Sequence, residues 1–207
     1  MGLRSGQIND MVLKLESIVE DILGRECLQG RVETRLGWIC CKNTDFRLGP
    51  RWLVSFNYPT KVDEIEYISQ YIRSAHRETV HRFYRSCNGM KILGNRFSVP
   101  GVRMISEKNS ENDFVNIPYG FDVMGGISLP PQSPTDGFLI GVSHIEDSSG
   151  DGEKLYDILD SKGTIVSGFF DDADGVTESF HDVESWLKMR VEGARRRFLK
   201  ARLARMN

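Results

Sequence analysis

An α+β domain with an antiparallel, twisted sheet flanked by helices follows from three observations on this sequence. Apolar residues recur at helical spacing near both ends of the chain. The stretch between carries short, turn-bounded runs of strand-forming residues. Those runs follow one another too closely for the crossover helices that a parallel sheet requires. The 207 residues divide into an N-terminal helix-and-strand extension over 1–60 and an α+β domain over 61–207 that ends in a long basic amphipathic helix.

The first helix is read from Ile8, Met11, Val12, Leu15, Ile18, Val19, Ile22 and Leu23, with Gly24 near its end. A second opens at Thr60, with Asp63 placed for a capping box. Its apolar face runs through Ile65, Ile68, Ile72, Ala75, Val80, Phe83 and Cys87, and Asn88-Gly89 stops it. Both of these residues are expected at positive φ, because Asn and Gly take the left-handed conformation most cheaply. A third helix is expected to open at Ser179, with Asp182 at the capping-box position, and to continue through Trp186, Leu187, Val191, Ala194, Phe198 and Leu203. Strands are expected at 52–56, 96–99, 102–105, 137–142, 156–159 and 164–166, the last two joined by a turn over Asp160 to Gly163. Residues 106–136, rich in Asn, Gly, Pro and Ser, read as long loops with one short helix.

Composition excludes several classes. Apolar residues make up 40% and charged residues 27% of the chain, which argues against global disorder and against a fibre. With 27 basic and 29 acidic side chains the net charge is −2, so the chain as a whole is no polycation. No apolar run approaches the roughly 18 residues of a membrane span. Cys27, Cys40, Cys41 and Cys87 fit neither a redox pair nor a zinc knuckle. Reduced thiols in a cytoplasmic protein are the expectation, with no membrane partner.

The motifs of catalysis fail one by one. Gly141-Val142-Ser143-His144-Ile145 lacks the second glycine of a nucleophile elbow, and no helical pattern follows it. His76, His81, His144 and His181 have no metal-ligand spacing. The turn at Asp147-Ser148-Ser149-Gly150-Asp151-Gly152 puts Ile158 where an EF-hand needs a bidentate glutamate. No phosphate loop or dinucleotide fingerprint occurs. The expectation is a non-enzymatic protein with no catalytic residues, no metal and no cofactor.

Charge segregation stands out instead. Residues 145–184 carry twelve acids against Lys154 and Lys162; residues 185–207 carry eight Lys or Arg against Glu192 alone. A solvated face is the ordinary reading of a charge run. An acidic band this dense also steers a basic partner. The candidate partner-binding residues are Glu146, Asp147, Asp151 and Glu153 in one Gly/Ser-rich loop and Asp171, Asp172 and Asp174 in another.

The helix ending Val80-His81-Arg82-Phe83-Tyr84-Arg85-Ser86-Cys87-Asn88-Gly89 resembles the hallmark of the SUKH superfamily, an aromatic-x-x-x-x-Asn-Gly helix leading into a sheet. Gly137–Gly141 resembles its glycine-bounded central strand, Tyr156–Asp160 with Lys162–Ile165 its acid-punctuated hairpin, and Phe180–Leu187 its closing helix. The resemblance covers residues 62 to 190; residues 1–60 and the basic tail have no counterpart in it. It implies a protein-binding domain. Bacterial members are immunity proteins that neutralise cytoplasmic toxin domains, many of them nucleases; relatives are regulatory scaffolds and viral host-interaction proteins. The implied partner is a toxin domain with a basic surface. The rivals are a nucleic-acid-associated or scaffold protein using the basic C-terminal helix, and a hydrolase around Ser143 and His144.

Overall fold

A computed structural model describes residues 15–24, 28, 30–34, 37–42, 52–59, 77–94, 96–102, 120–121, 137–145, 152–160, 162–169 and 175–204. Helix α1 (residues 15–24) ends at Gly24 with φ 68°. Strands β1 (Val32–Thr34), β2 (Gly37–Lys42) and β3 (Trp52–Asn57) precede helix α2 (Arg77–Tyr84). Then come β4 (Met90–Ile92), β5 (Phe97–Val99), β6 (Gly101–Val102) and β7 (Gly120–Phe121). The meander β8 (Phe138–Ile145), β9 (Glu153–Leu159), β10 (Ile165–Phe169) and β11 (Gly175–Phe180) leads into helix α3 (Val183–Ala204).

The architecture is α+β, with nine strands in one antiparallel sheet of order β1-β2-β3-β4-β5-β8-β9-β10-β11. Only β6 and β7 leave this order; they pair with each other in parallel, Gly101 opposite Gly120. Residues before 61 supply three of the nine strands. Val54 pairs with Ile92 and Phe56 with Met90, so the sheet runs unbroken from the N-terminal strands into the rest.

Alternation along the strands sorts side chains onto two faces. One face carries the main core, to which α1 contributes Leu15, Val19 and Leu23, α2 Val80, Phe83 and Tyr84, and α3 Trp186, Leu187, Val191 and Ala194. Trp186 sits edge-on to Phe83 and Phe97, at centroid distances of 6.2 and 5.6 Å. Trp38 stacks on Phe56, its register partner, at 5.5 Å. Each such side chain taken fully from water contributes about 1.5–3 kcal/mol. The opposite face holds a smaller cluster, Leu139 and Ile158 with Val142, Tyr156 and Val166.

Several boundaries differ from the sequence reading. Ser179 does not open a helix; it lies in β11 opposite Val166. Asp182 is the cap, its Oδ1 accepting the Ser185 amide at 2.7 Å, three residues on. Gly175–Phe180 instead completes the meander as its edge strand, paired with β10. Helix α2 ends at Tyr84, and Cys87 lies beyond it. Gly89 has φ 85° as expected, but Asn88 does not have positive φ; Leu93 (50°) and Gly94 (71°) make the left-handed turn between β4 and β5. Strands β1, β2, β4, β7 and β11 were not foreseen. The expected opening of the second helix at Thr60, residues 103–105 of the expected 102–105 strand, and the loops over 106–136 other than β7 lie outside the described residues.

Candidate functional site

Of the seven candidate acids, Glu153 is described: it opens β9, exposed, opposite Ile145. Glu146, Asp147, Asp151, Asp171, Asp172 and Asp174 lie outside the described residues. The strands that flank them are β8, β9, β10 and β11. Because β8 to β11 are sequential antiparallel neighbours, the paired ends Ile145–Glu153 and Phe169–Gly175 lie at one end of the meander. The β9–β10 turn lies at the other. There Asp160 Oδ1 accepts the amides of Lys162 and Thr164, at 2.9 and 2.8 Å, and Gly163 takes φ 81°.

A buried ion pair fixes α3 across this meander. Asp157, in the middle of β9, is fully buried. Arg190 reaches it with Nε at 2.9 Å from Oδ1 and with Nη2 at 2.8 Å, while Nη1 holds Glu178 of β11 at 2.9 Å. Ser167 of β10 donates to the same carboxylate, and the guanidinium lies 5.3 Å from the Phe180 ring. Burial pushes the Asp157 carboxyl above its ordinary value; the charge of Arg190 and the hydrogen bonds from Arg190 and Ser167 oppose this without cancelling it. Gly141 of β8 makes room for the arrangement: a Cβ there would lie 2.8 Å from the Trp186 ring and 2.9 Å from Asp157 Oδ2. The sequence reading missed this network. Its signals were an aspartate inside the apolar run Tyr156–Leu159 and an arginine on the apolar face of the closing helix, between Trp186 and Ala194.

Helix α3 is buried as far as Ala194, and Arg195, Arg196, Lys200 and Arg202 beyond it are exposed. None of these four makes an ion pair among the described residues. Arg197 by contrast turns inward, donating to the Arg96 carbonyl at 3.1 Å, and that carbonyl also accepts the His144 amide. His144 pairs with Lys154 beside the Ile145–Glu153 end. The later half of α3 therefore reaches the end of the sheet at which Glu153 stands.

At the opposite edge Arg31 clasps three carboxylates, Glu33 at 2.7 Å, Glu16 at 2.9 Å and Glu20 at 2.5 Å, and lies 4.6 Å from the Trp38 ring. Trp38 Nε1 donates to Glu16, and Tyr58 donates to Glu33. Burial pushes Glu33 up, but the hydrogen bonds from Tyr58 and Arg31 and the charge of Arg31 outweigh it and hold the carboxyl below its ordinary value. Burial and the Glu33 contact push Tyr58 up to about 12. This clasp joins α1, β1 and the end of β3; it is a structural tie.

A cleft of about 370 Å³ opens between α1, α2, the β9–β10 turn and the start of α3. Leu15, Phe83 and Ile165 line it with Arg82, His181 and Glu184, a mixture of charges that selects no ligand class. Ser143 and His144 are consecutive residues of β8 and so point to opposite faces, which removes the geometry of a nucleophile–base pair. Among the described residues no group of three His, Cys, Asp or Glu could hold a metal ion. Cys40 and Cys87 are buried thiols, and burial pushes the Cys87 thiol well above its ordinary value. No described helix is long and apolar enough to cross a membrane. The chain matches no known family model, no curated protein and no solved structure.

Proposed function

We propose that this chain is a SUKH-like, non-enzymatic protein-binding domain that works in the cytoplasm as an immunity protein, capturing a nuclease-type toxin domain through its acidic connections. The observation that carries the reading is the meander. Its β8–β9 and β10–β11 connections, which hold six of the seven candidate acids, leave the sheet from the same end as the seventh, Glu153. A nuclease cleft shaped for phosphate is basic, and carboxylates on connections that leave one end of the sheet would offer it a substitute for the phosphate backbone. The Asp157–Arg190–Glu178 network supports this by holding β9, β11 and α3 as one unit, so that the strand ends are preorganised.

The test is association kinetics with a basic toxin nuclease domain. Neutralising Glu146, Asp147, Asp151, Glu153, Asp171, Asp172 and Asp174 to Asn or Gln is expected to slow association at least about tenfold at low salt. The difference shrinks as salt screens the field over a Debye length of about 8 Å. The melting temperature changes little, because exposed ion pairs contribute only about 0–1 kcal/mol each. An unchanged association rate refutes the role given to the acids. The rival use of the basic helix for nucleic acid predicts salt-sensitive DNA or RNA binding that is lost when residues 200–207 are deleted.

A further inference from the structure

We propose that the outer face of α3 is a peripheral docking surface for an anionic lipid bilayer. The inner face is accounted for by Trp186, Leu187, Arg190, Val191 and Ala194, all buried. At 3.6 residues per turn, Met189, Glu192, Arg196, Leu199 and Leu203 then form one stripe on the side turned away from the sheet. Lys188, Arg195 and Arg202 flank it on one side at seven-residue spacing, and Lys200 flanks it on the other. Three of the five large apolar side chains left exposed among the described residues lie on this stripe: Met189 at 43%, Leu199 at 38% and Leu203 at 64%.

The combination selects the partner. Arg195, Arg196, Lys200 and Arg202 have no carboxylate partner among the described residues, so an external anion displaces none of these. A second copy meeting this face would oppose like charges. Nucleic acid would neutralise the cations but leave Leu199 and Leu203 in water. An anionic bilayer satisfies both sets: the leucines enter the boundary between headgroups and acyl chains, and the flanking Arg and Lys reach the phosphates. Such a contact lies on the membrane without spanning it. It therefore revises the expectation of no membrane partner, which rested on the lack of a spanning segment. Glu192 is the one carboxylate on the stripe and opposes binding.

The experiment is co-sedimentation of the full chain with vesicles of phosphatidylcholine, with and without phosphatidylserine, across a salt series. Binding is expected to the phosphatidylserine vesicles alone and to fall with salt. Each cation removed among Arg195, Arg196, Lys200 and Arg202 (to Gln) weakens partitioning about fivefold. The Leu199→Gln/Leu203→Gln pair weakens it at least about tenfold, and Glu192→Gln strengthens it. All these positions are exposed, and far-ultraviolet circular dichroism checks that each variant folds. Absence of binding, equal binding to neutral vesicles, or no effect of the leucine pair overturns the proposal. Tighter binding to duplex DNA than to vesicles, insensitive to the leucine pair, assigns the face to nucleic acid instead.

Discussion

Replacing Asp157 by alanine leaves Arg190, whose side chain is 7% exposed, with Glu178 as its remaining carboxylate, itself 42% exposed. Arg190→Met leaves the fully buried Asp157 with Ser167 and no cation. Each single change strands a buried charge, and each is expected to cost about 3–5 kcal/mol. That is a large share of the roughly 5–15 kcal/mol by which a domain of this kind is stable. The raised pKa of Asp157 decides the outcome of the double change. A carboxyl lifted despite a paired guanidinium is one whose desolvation outweighs the attraction. Replacing both partners by apolar side chains (Asp157→Val with Arg190→Met) is therefore expected to be near neutral, with a coupling energy of at least about 3 kcal/mol between the sites. Because the folded value lies above the unfolded 3.8, the native state takes up this proton first. The cost of ionising Asp157 is absent below pH 3.8, and stability from this group falls as pH rises through the folded value. Urea unfolding of the four proteins in the cycle measures this. Single substitutions costing under about 1 kcal/mol, or strict additivity, would show that the pair does not anchor α3.

Two glycines at nearly the same φ separate backbone strain from collision. Gly163→Ala at φ 81° meets nothing within 4 Å and is expected to cost about 1 kcal/mol, whereas Gly89→Ala at φ 85° also drives a Cβ to 2.8 Å from the Val99 carbonyl and 2.9 Å from Gly101. Its melting temperature should fall well below that of the Gly163 variant, and equal values would contradict the close approach. Asp182→Ala removes the cap of α3 and is expected to cost about 0.5–2 kcal/mol by denaturant titration. The Ser185 amide and hydroxyl hold the Asp182 carboxyl below its ordinary value, as Tyr58 and Arg31 hold Glu33, so both groups stabilise above their unfolded values and that stability is lost as pH falls through the folded ones. Glu33→Gln should accordingly flatten the acid limb of a stability profile, and an acid limb unchanged from the parent would refute the clasp.

Much of the local structure was legible because it depends on neighbours in sequence. The apolar spacing of Leu15 to Leu23 gave α1 and Gly24 its end; Asp160 to Gly163 gave the β9–β10 turn; the aliphatic run at 137–142 gave β8. The strands that escaped notice have weak local signals. Gly37–Lys42 contains two cysteines and a lysine, Met90–Ile92 has three residues, and Gly175–Phe180 is polar, with residues 176–179 exposed. Each is a strand because a neighbour supplies its hydrogen bonds, and pairing partners are not written in the pattern of a single segment.

By itself the sequence determined the α+β class, the helical ends and the separation of acid from base along the chain, since these rest on composition, period and turn chemistry. Tertiary structure alone decided that the β8–β9 and β10–β11 strand ends share one end of a sheet, and that Arg190 faces Asp157 across 33 residues. It also decided that four cations of α3 are left without carboxylate partners among the described residues. Burial and pairing are properties of surfaces brought together, and two segments reveal whether their charges meet only when the chain between them has folded.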